Sequence, residues 1–398
     1  MASDLTHRER VALALDHQAT DRVPIAMVCS GINAPAHVQL EAYLEAHRQT
    51  TVAAYLEPLI DIAGVGPDYT GSDLKPGWDM WGVRRDPVSY GSGHYNEISH
   101  YPLAGATTVD DIAAHAWPSV EWFDYSVMPE RIVAARAERD YCLMASNGNV
   151  FECSWYMRGF EQMLLDVAIS PELAHEILQR VTDFWVEHFT RLLAASKGEI
   201  DLVFTADDVG GQEGLLMSLG MWEEFIKPHH ERLNRTIHEF GAKVIYHSDG
   251  AVMDAVPGLI DMGIDVLQAL QFDAKGMDAE MLKTEYGDRL CFEGGVSVQS
   301  TLPFGTPEEV ENEVRERIDV LGRDGGYILG HPTPSRPERH PRTSSRCSTP
   351  PRPTRRDRSP AECSDPSWTR SSGSSTRGFA SATSPITGPV DARCRALA

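Results

Sequence analysis

An α/β fold of the (β/α)8 TIM-barrel type is what this sequence predicts, and three observations lead there. Between Thr6 and Gly330, short apolar runs alternate with amphipathic helical stretches, the signature of a parallel sheet covered by helices. The runs number roughly eight, which fits a closed barrel better than an open doubly wound sheet. No glycine-rich nucleotide fingerprint follows any of them, which counts against a dinucleotide fold.

The elements follow in order. Thr6 to His17 reads as a helix, with Thr6 as its cap and Glu9 three residues on, as in a capping box. Asp21 to Val28 reads as a turn and a buried strand, and about 38–58 as a longer helical stretch. Residues 66–103 are rich in Gly, Pro, Tyr and Trp and form an irregular excursion with short strands such as 81–86. Helical patterning resumes over 108–140. Strands are then expected at 141–146, 201–206, 242–246, 265–270, 289–292 and 326–329. The intervening helices fall at 157–196 (two or three), 216–240 (interrupted at Pro228), 253–262, 278–286 and 307–321.

The pattern stops at Gly330. Residues 331–398 hold 12 Arg, no Lys, 13 Ser, 11 Pro and four residues from Leu, Ile, Val, Met and Phe. Such a segment cannot bury enough apolar surface to offset its chain entropy. It reads either as a disordered basic arm or as out-of-frame translation, and the genetic code favours the second. Arg342 to Ser348 written as AGA-ACG-TCC-TCG-CGA-TGT-TCG, after a Pro341 codon ending in G, contains one base out of phase the codons for Glu-Asn-Val-Leu-Ala-Met-Phe. Extended over 331–351, the same shift reads Pro-Ser-His-Thr-Ile-Ala-Pro-Gly-Thr-Pro-Pro-Glu-Asn-Val-Leu-Ala-Met-Phe-Asp-Ala-Ala, a loop, a helix start and an amphipathic run. The expected organisation is therefore a barrel over 1–330, its last helix lost to a frameshift, and a disordered Arg/Ser/Pro-rich tail over 331–398.

Charge narrows the partners. The tail carries +7, whereas 24 basic and 53 acidic side chains precede it, a net −29. So acidic a body disfavours nucleic acid and anionic membranes and favours solubility in a cytosol and a partner with a basic face; a small-molecule substrate is expected. Cys29, Cys142, Cys153 and Cys291 form no Cys-x-x-Cys pair and read as free thiols of a reducing compartment. The first residues contain no apolar signal core and no run is long enough to span a membrane. A cytoplasmic protein is expected.

A barrel carries its chemistry at the C-terminal ends of its strands. The residues just past each run are Ser30 and Asn33, Asn147 and Asn149, Asp207 and Asp208, His247 and Asp249, Gln271, and Glu293. Asp207 and Asp208 are adjacent, so only one can point into the mouth and the other is free to cap a helix. His247 and Asp249 stand two apart in an extended segment and can face the same side, as a chelating pair or as a histidine oriented by an acid. Asn147, Asn149, Gln271 and Glu293 are candidate substrate contacts, and Asp207, Asp208 and His247 the catalytic candidates. The pair His229-His230, in a helical stretch, reads as surface.

These residues carry a resemblance. Arg8-Glu-Arg-Val11 with Asp21-Arg-Val-Pro-Ile25, the Asp207-Asp-Val-Gly210 cluster, Tyr246-His-Ser-Asp-Gly250, Gly294-Gly-Val296 with Leu302 to Val310, and Gly325 to Gly330 are similar to the uroporphyrinogen decarboxylase superfamily over about residues 5–330. The hidden-frame Pro-Ser-His and Pro-Pro-Glu-Asn resemble its C-terminal segment. The resemblance implies a TIM barrel with one of two chemistries: cofactor-free decarboxylation of uroporphyrinogen, or zinc-dependent methyl transfer involving a corrinoid carried by a partner protein. The decarboxylases have an Arg-rich segment after the first strand, yet no Arg or Lys occurs here between Arg22 and Arg48. An octa-anionic substrate in such a cleft would be repelled. The zinc enzymes have a His-x-Cys pair and a later Cys. Here Asp249 stands at the first Cys position, and any third ligand is expected beyond Gly330, the hidden-frame histidine being the candidate. The leading expectation is a methyltransferase in which His247 and Asp249 hold zinc and Asp208 is acid/base or substrate anchor. A porphyrinogen decarboxylase, with Asp207 or Asp208 on pyrrole N–H groups, is the alternative, and a non-catalytic binding protein a third.

Overall fold

The structure is a computed structural model and describes residues 5–28, 32, 34–89 and 94–330. The expectations for Cys29, Ser30, Asn33 and the 331–398 tail lie outside those residues.

Seven parallel strands run in chain order around one sheet: β1 (Ile62–Gly64), β2 (Cys142–Ala145), β3 (Leu202–Ala206), β4 (Lys243–His247), β5 (Val266–Ala269), β6 (Cys291–Gly294) and β7 (Tyr327–Ile328). β1 is the strand that the sequence reading lacks. The expected strand at 21–28 is present as a single parallel bridge, Ile25 to Leu329. That segment closes the barrel. Ala26 N–H donates to Leu329 O (2.8 Å), Leu329 N–H to Pro24 O (2.8 Å), and Asp61 N–H to Ile25 O (2.8 Å), so the stretch around Ile25 bonds to both edges.

The closure is held from the N-terminal side. The fully buried Asp61 carboxylate accepts from Arg10 Nη1 (2.7 Å), Arg22 Nη1 (2.7 Å) and Ile25 N–H (2.8 Å), and lies 2.7 Å from His7 Nδ1. Charge-assisted bonds to one carboxylate thus tie the first helix, the Ile25 segment and the residue before β1 together. The Arg-Glu-Arg and Asp-Arg-Val-Pro-Ile stretches are in this way a clasp of the barrel wall. The helix His7–Leu15 carries the expected Thr6/Glu9 capping box, and its Val11, Ala14 and Leu15 plug the barrel floor.

Strand alternation sorts the side chains into two cores. Inside the barrel are Ile62, Cys142, Met144, Leu202, Phe204, Ile245, Val266, Cys291 and Ile328. Outside, Leu143, Val203, Val244, Tyr246, Leu267 and Phe292 meet the helices. The longest helix, Pro171–Ser196, buries Ile177, Val181, Trp185, Phe189 and Leu192 as one stripe. The 66–103 excursion contains an antiparallel pair, Arg84–Ser89 with His94–His100. Cys142, Cys153 and Cys291 are buried free thiols, as expected. Among the described residues no helix is long and apolar enough to cross a membrane.

Candidate metal centre

Parallel register places Ala206, His247, Gln268 and Glu293 side by side on consecutive strands. Phe204, Ile245, Val266 and Cys291 occupy the same strands two residues earlier, so polar groups appear at the C-terminal rim of an apolar interior. Asp208 and Asp249 follow just beyond β3 and β4. His247 Nε2 lies 3.6 Å from Asp208 Oδ1 and 4.0 Å from Asp249 Oδ2. One ligand atom from each of the three lies within 4.8 Å of the others.

That spacing fits a small dication. Ligands at about 2.0–2.1 Å in a tetrahedral site stand roughly 3.4 Å apart. The surroundings also prepare the ligands. His247 Nδ1 bonds to Gln268 Oε1, and an amide oxygen only accepts, so the proton sits on Nδ1 and the Nε2 lone pair faces the two carboxylates. Asp249 N–H donates to Asp208 Oδ1 (2.8 Å) and fixes that carboxylate. Burial and the charge of Asp249 push Asp208 up to about 6. Burial works against a charged His247, but Asp249 and Asp208 outweigh it and hold its pKa above the ordinary value. Were these three to hold a metal, a fourth position would stay open, as in catalytic zinc sites. The third ligand expected beyond Gly330 lies outside the described residues; inside the barrel, Asp208 is a group that could serve beside His247 and Asp249.

Asp207 points the other way. It is wholly buried, accepts from the N–H groups of Phe151 and Glu152 (2.7 Å each) and Val150 (3.3 Å), and lies 2.6 Å from His230 Nε2. It caps the helix Phe151–Arg158; its backbone N–H donates to His247 O (3.1 Å), while its carboxylate bonds to this helix and His230. His230, expected at the surface, is fully buried and belongs to this hub, a correction with a physical cause: it continues the buried stripe Ile226, Leu233, Asn234, Ile237 of its helix.

The remaining candidates stand apart from the trio. Asn147 adopts a left-handed φ of 76°, which asparagine tolerates. The Asn149 side chain bonds to Glu152 and its carbonyl accepts from Trp185 Nε1 (3.0 Å). Gln271 exchanges amide bonds with Gln212 (3.2 Å each way) and accepts from Gly250 N–H (2.9 Å), bracing the turn that carries Asp249. Gly250 is required there: its φ is 89°, and a Cβ would lie 2.6 Å from Gly210 O. Glu293 is in the rim layer and wholly buried. Burial pushes it up to about 8, although Gln268 and His247 draw it down. Gln268 and the buried Glu152, whose charge reaches His247, are the site residues that sequence reasoning missed.

Comparison with known proteins agrees with this architecture. The family model described as uroporphyrinogen decarboxylase matches residues 6–335. A methylated-thiol–coenzyme M methyltransferase of Methanosarcina mazei is 30% identical over 186 residues, which cover 46% of this chain and 47% of that protein. The match thus spans about half the length of that relative. A solved methyltransferase from Methanosarcina mazei shares the fold with a TM-score of 0.57 at 18% identity, covering 84% of this chain and 95% of that one. The chain belongs to the uroporphyrinogen decarboxylase family.

Proposed function

We propose that this chain is a methyltransferase in which Asp208, His247 and Asp249 hold a zinc ion at the barrel mouth, and that it exchanges a methyl group with a corrinoid carried by a separate protein. The observation that carries the reading is the His247–Asp208–Asp249 cluster, with its Nε2 lone pair aimed at both carboxylates. The methyltransferase relative supports the reaction class. An all-N/O set is harder than a thiolate set and still suits zinc. Zinc so held supplies Lewis acidity, which favours a thiolate or draws charge from a methyl donor's heteroatom. Around it, Gln268 keeps the His247 tautomer, Gln271 and Gly250 hold the Asp249 turn, and Asp249 N–H fixes Asp208.

The test is methylation of cob(I)alamin by methyl thioethers, read as loss of its absorbance, with the zinc-loaded chain, its frame restored by one base after the Gly330 codon. Turnover is expected, and is expected to vanish in His247→Ala and Asp208→Asn. A metal-free protein that decarboxylates uroporphyrinogen would contradict the reading. We also propose that the functional domain covers 1–330 and that the stretch after Gly330 is out of frame; the family match, which ends at residue 335, supports this division.

A further inference from the structure

The two loops that carry the trio are bonded to each other, and one side chain stands at their junction. Asp208 belongs to the loop after β3, and His247 and Asp249 flank Ser248 at the end of β4. Ser248 is buried. Its hydroxyl accepts from Val209 N–H (3.0 Å) and donates to Asp249 O (3.3 Å). Its own N–H donates to Gln268 O (2.7 Å), the residue whose amide oxygen meets His247. Ser248 thus bonds to the residue after Asp208, to the backbone of Asp249 and to the partner of His247. Its hydroxyl is used as both donor and acceptor.

The junction is close-packed around it. Asp207 N–H donates to His247 O (3.1 Å), Asp249 N–H to Asp208 Oδ1 (2.8 Å) and Ala251 N–H to Gly211 O (2.8 Å), so the loops exchange bonds in both directions. Gly210 lets the two backbones meet, because a Cβ there would lie 2.9 Å from Asp249 O and 3.0 Å from Ala251 N. Ligand atoms held on such a shared frame need little ordering when a cation arrives, and a smaller ordering cost means tighter binding.

We propose that Ser248 is a positioning residue of the metal centre: its hydroxyl pins the loop of Asp208 to the turn of Asp249, so that the three ligand atoms stand in place before the metal arrives. The proposal rests on the zinc-site reading and concerns how that site is preformed. Three variants of the full chain, its frame restored as for the methyl-transfer test, examine it. Ser248→Ala removes the hydroxyl and leaves Val209 N–H without its acceptor. Gly210→Ala pries the same loops apart with a methyl group. Ser196→Ala is the control, since it removes a buried hydroxyl that bonds to Leu192 O (2.7 Å) within the long helix. In competition titrations the first two are expected to bind zinc about 10–100-fold more weakly than the parent, and the control to bind it as the parent does. On the metal-free chains, amide hydrogen exchange over 205–213 and 247–253 is expected to be about 10-fold faster in Ser248→Ala. Parent-like zinc affinity in Ser248→Ala or Gly210→Ala overturns the proposal, as does an equal loss in Ser196→Ala. A parent that takes up no zinc sinks the metal reading instead, and the exchange data then decide the pin: unchanged protection in Ser248→Ala overturns it, and faster exchange confined to the two loops upholds it.

Discussion

Asp207 and Asp208 are neighbours with opposite duties, and substituting each in turn separates them. Asp207→Ala removes a buried carboxylate that accepts three backbone N–H groups at 2.7–3.3 Å and faces His230 at 2.6 Å. His230 is itself wholly buried, and its Nδ1 already has no partner. The substitution leaves the first turn of the helix Phe151–Arg158 uncapped and an imidazole unpaired in the interior. Breaking a buried charged network of this kind costs about 3–5 kcal/mol. At about 2–4 °C per kcal/mol for a domain of this order of size, the melting temperature should fall by roughly 10 °C. Asp208→Asn removes a partly exposed carboxylate that burial and Asp249 already disfavour in its charged form. Its melting temperature should stay within about 2 °C of the parent, while zinc uptake is lost. Thermal melts by circular dichroism, paired with zinc titration, read both. If Asp207→Ala melts with the parent, or Asp208→Asn collapses, the division between a structural and a site acid is wrong.

Gln268→Leu should keep the fold but weaken zinc about 10–100-fold, since the His247 tautomer loses its anchor; unchanged affinity in a competition titration contradicts this. Glu293 is raised from 4.5 to about 8, so the folded chain holds an extra proton between those values. The metal-free protein should therefore lose stability as pH rises from about 4.5 through about 8, and Glu293→Gln should flatten the profile; urea melts across pH 5–8 would expose an unaltered slope. The chain as written should be poorly soluble or inactive, and restoring the frame by one base after the Gly330 codon should give a stable, cooperatively folding protein. Equal behaviour of the two, with a tail that resists protease, would make 331–398 native structure.

Much of the fold was legible because β2–β7 are apolar runs with polar ends, and each expected strand from residue 141 onward has its counterpart. β1 was not legible: Ile62–Gly64 is three residues long, too short to show alternation, and its place depends on the Ile25 and Asp61 bonds. The strand-end rule singled out His247, Asp249 and Asp208, which the structure brings together, because a residue just past a strand is placed by topology alone. It could not find Gln268, which lies inside β5 and reaches the rim only through its register with His247 and Glu293. His230 had a signal that was passed over, the i, i+4, i+7, i+8, i+11 spacing Ile226, His230, Leu233, Asn234, Ile237, in which a histidine on an apolar stripe marks a buried partner.

The central claim, a zinc centre built from Asp208, His247 and Asp249, is tested most directly by zinc analysis and X-ray absorption at the zinc edge on the purified full chain. One zinc per chain is expected, with a nitrogen and oxygen shell at about 2.0–2.1 Å, no sulfur shell near 2.3 Å, and loss of the metal in His247→Ala. A chain that binds no zinc, or a zinc ion with sulfur in its first shell, would contradict it.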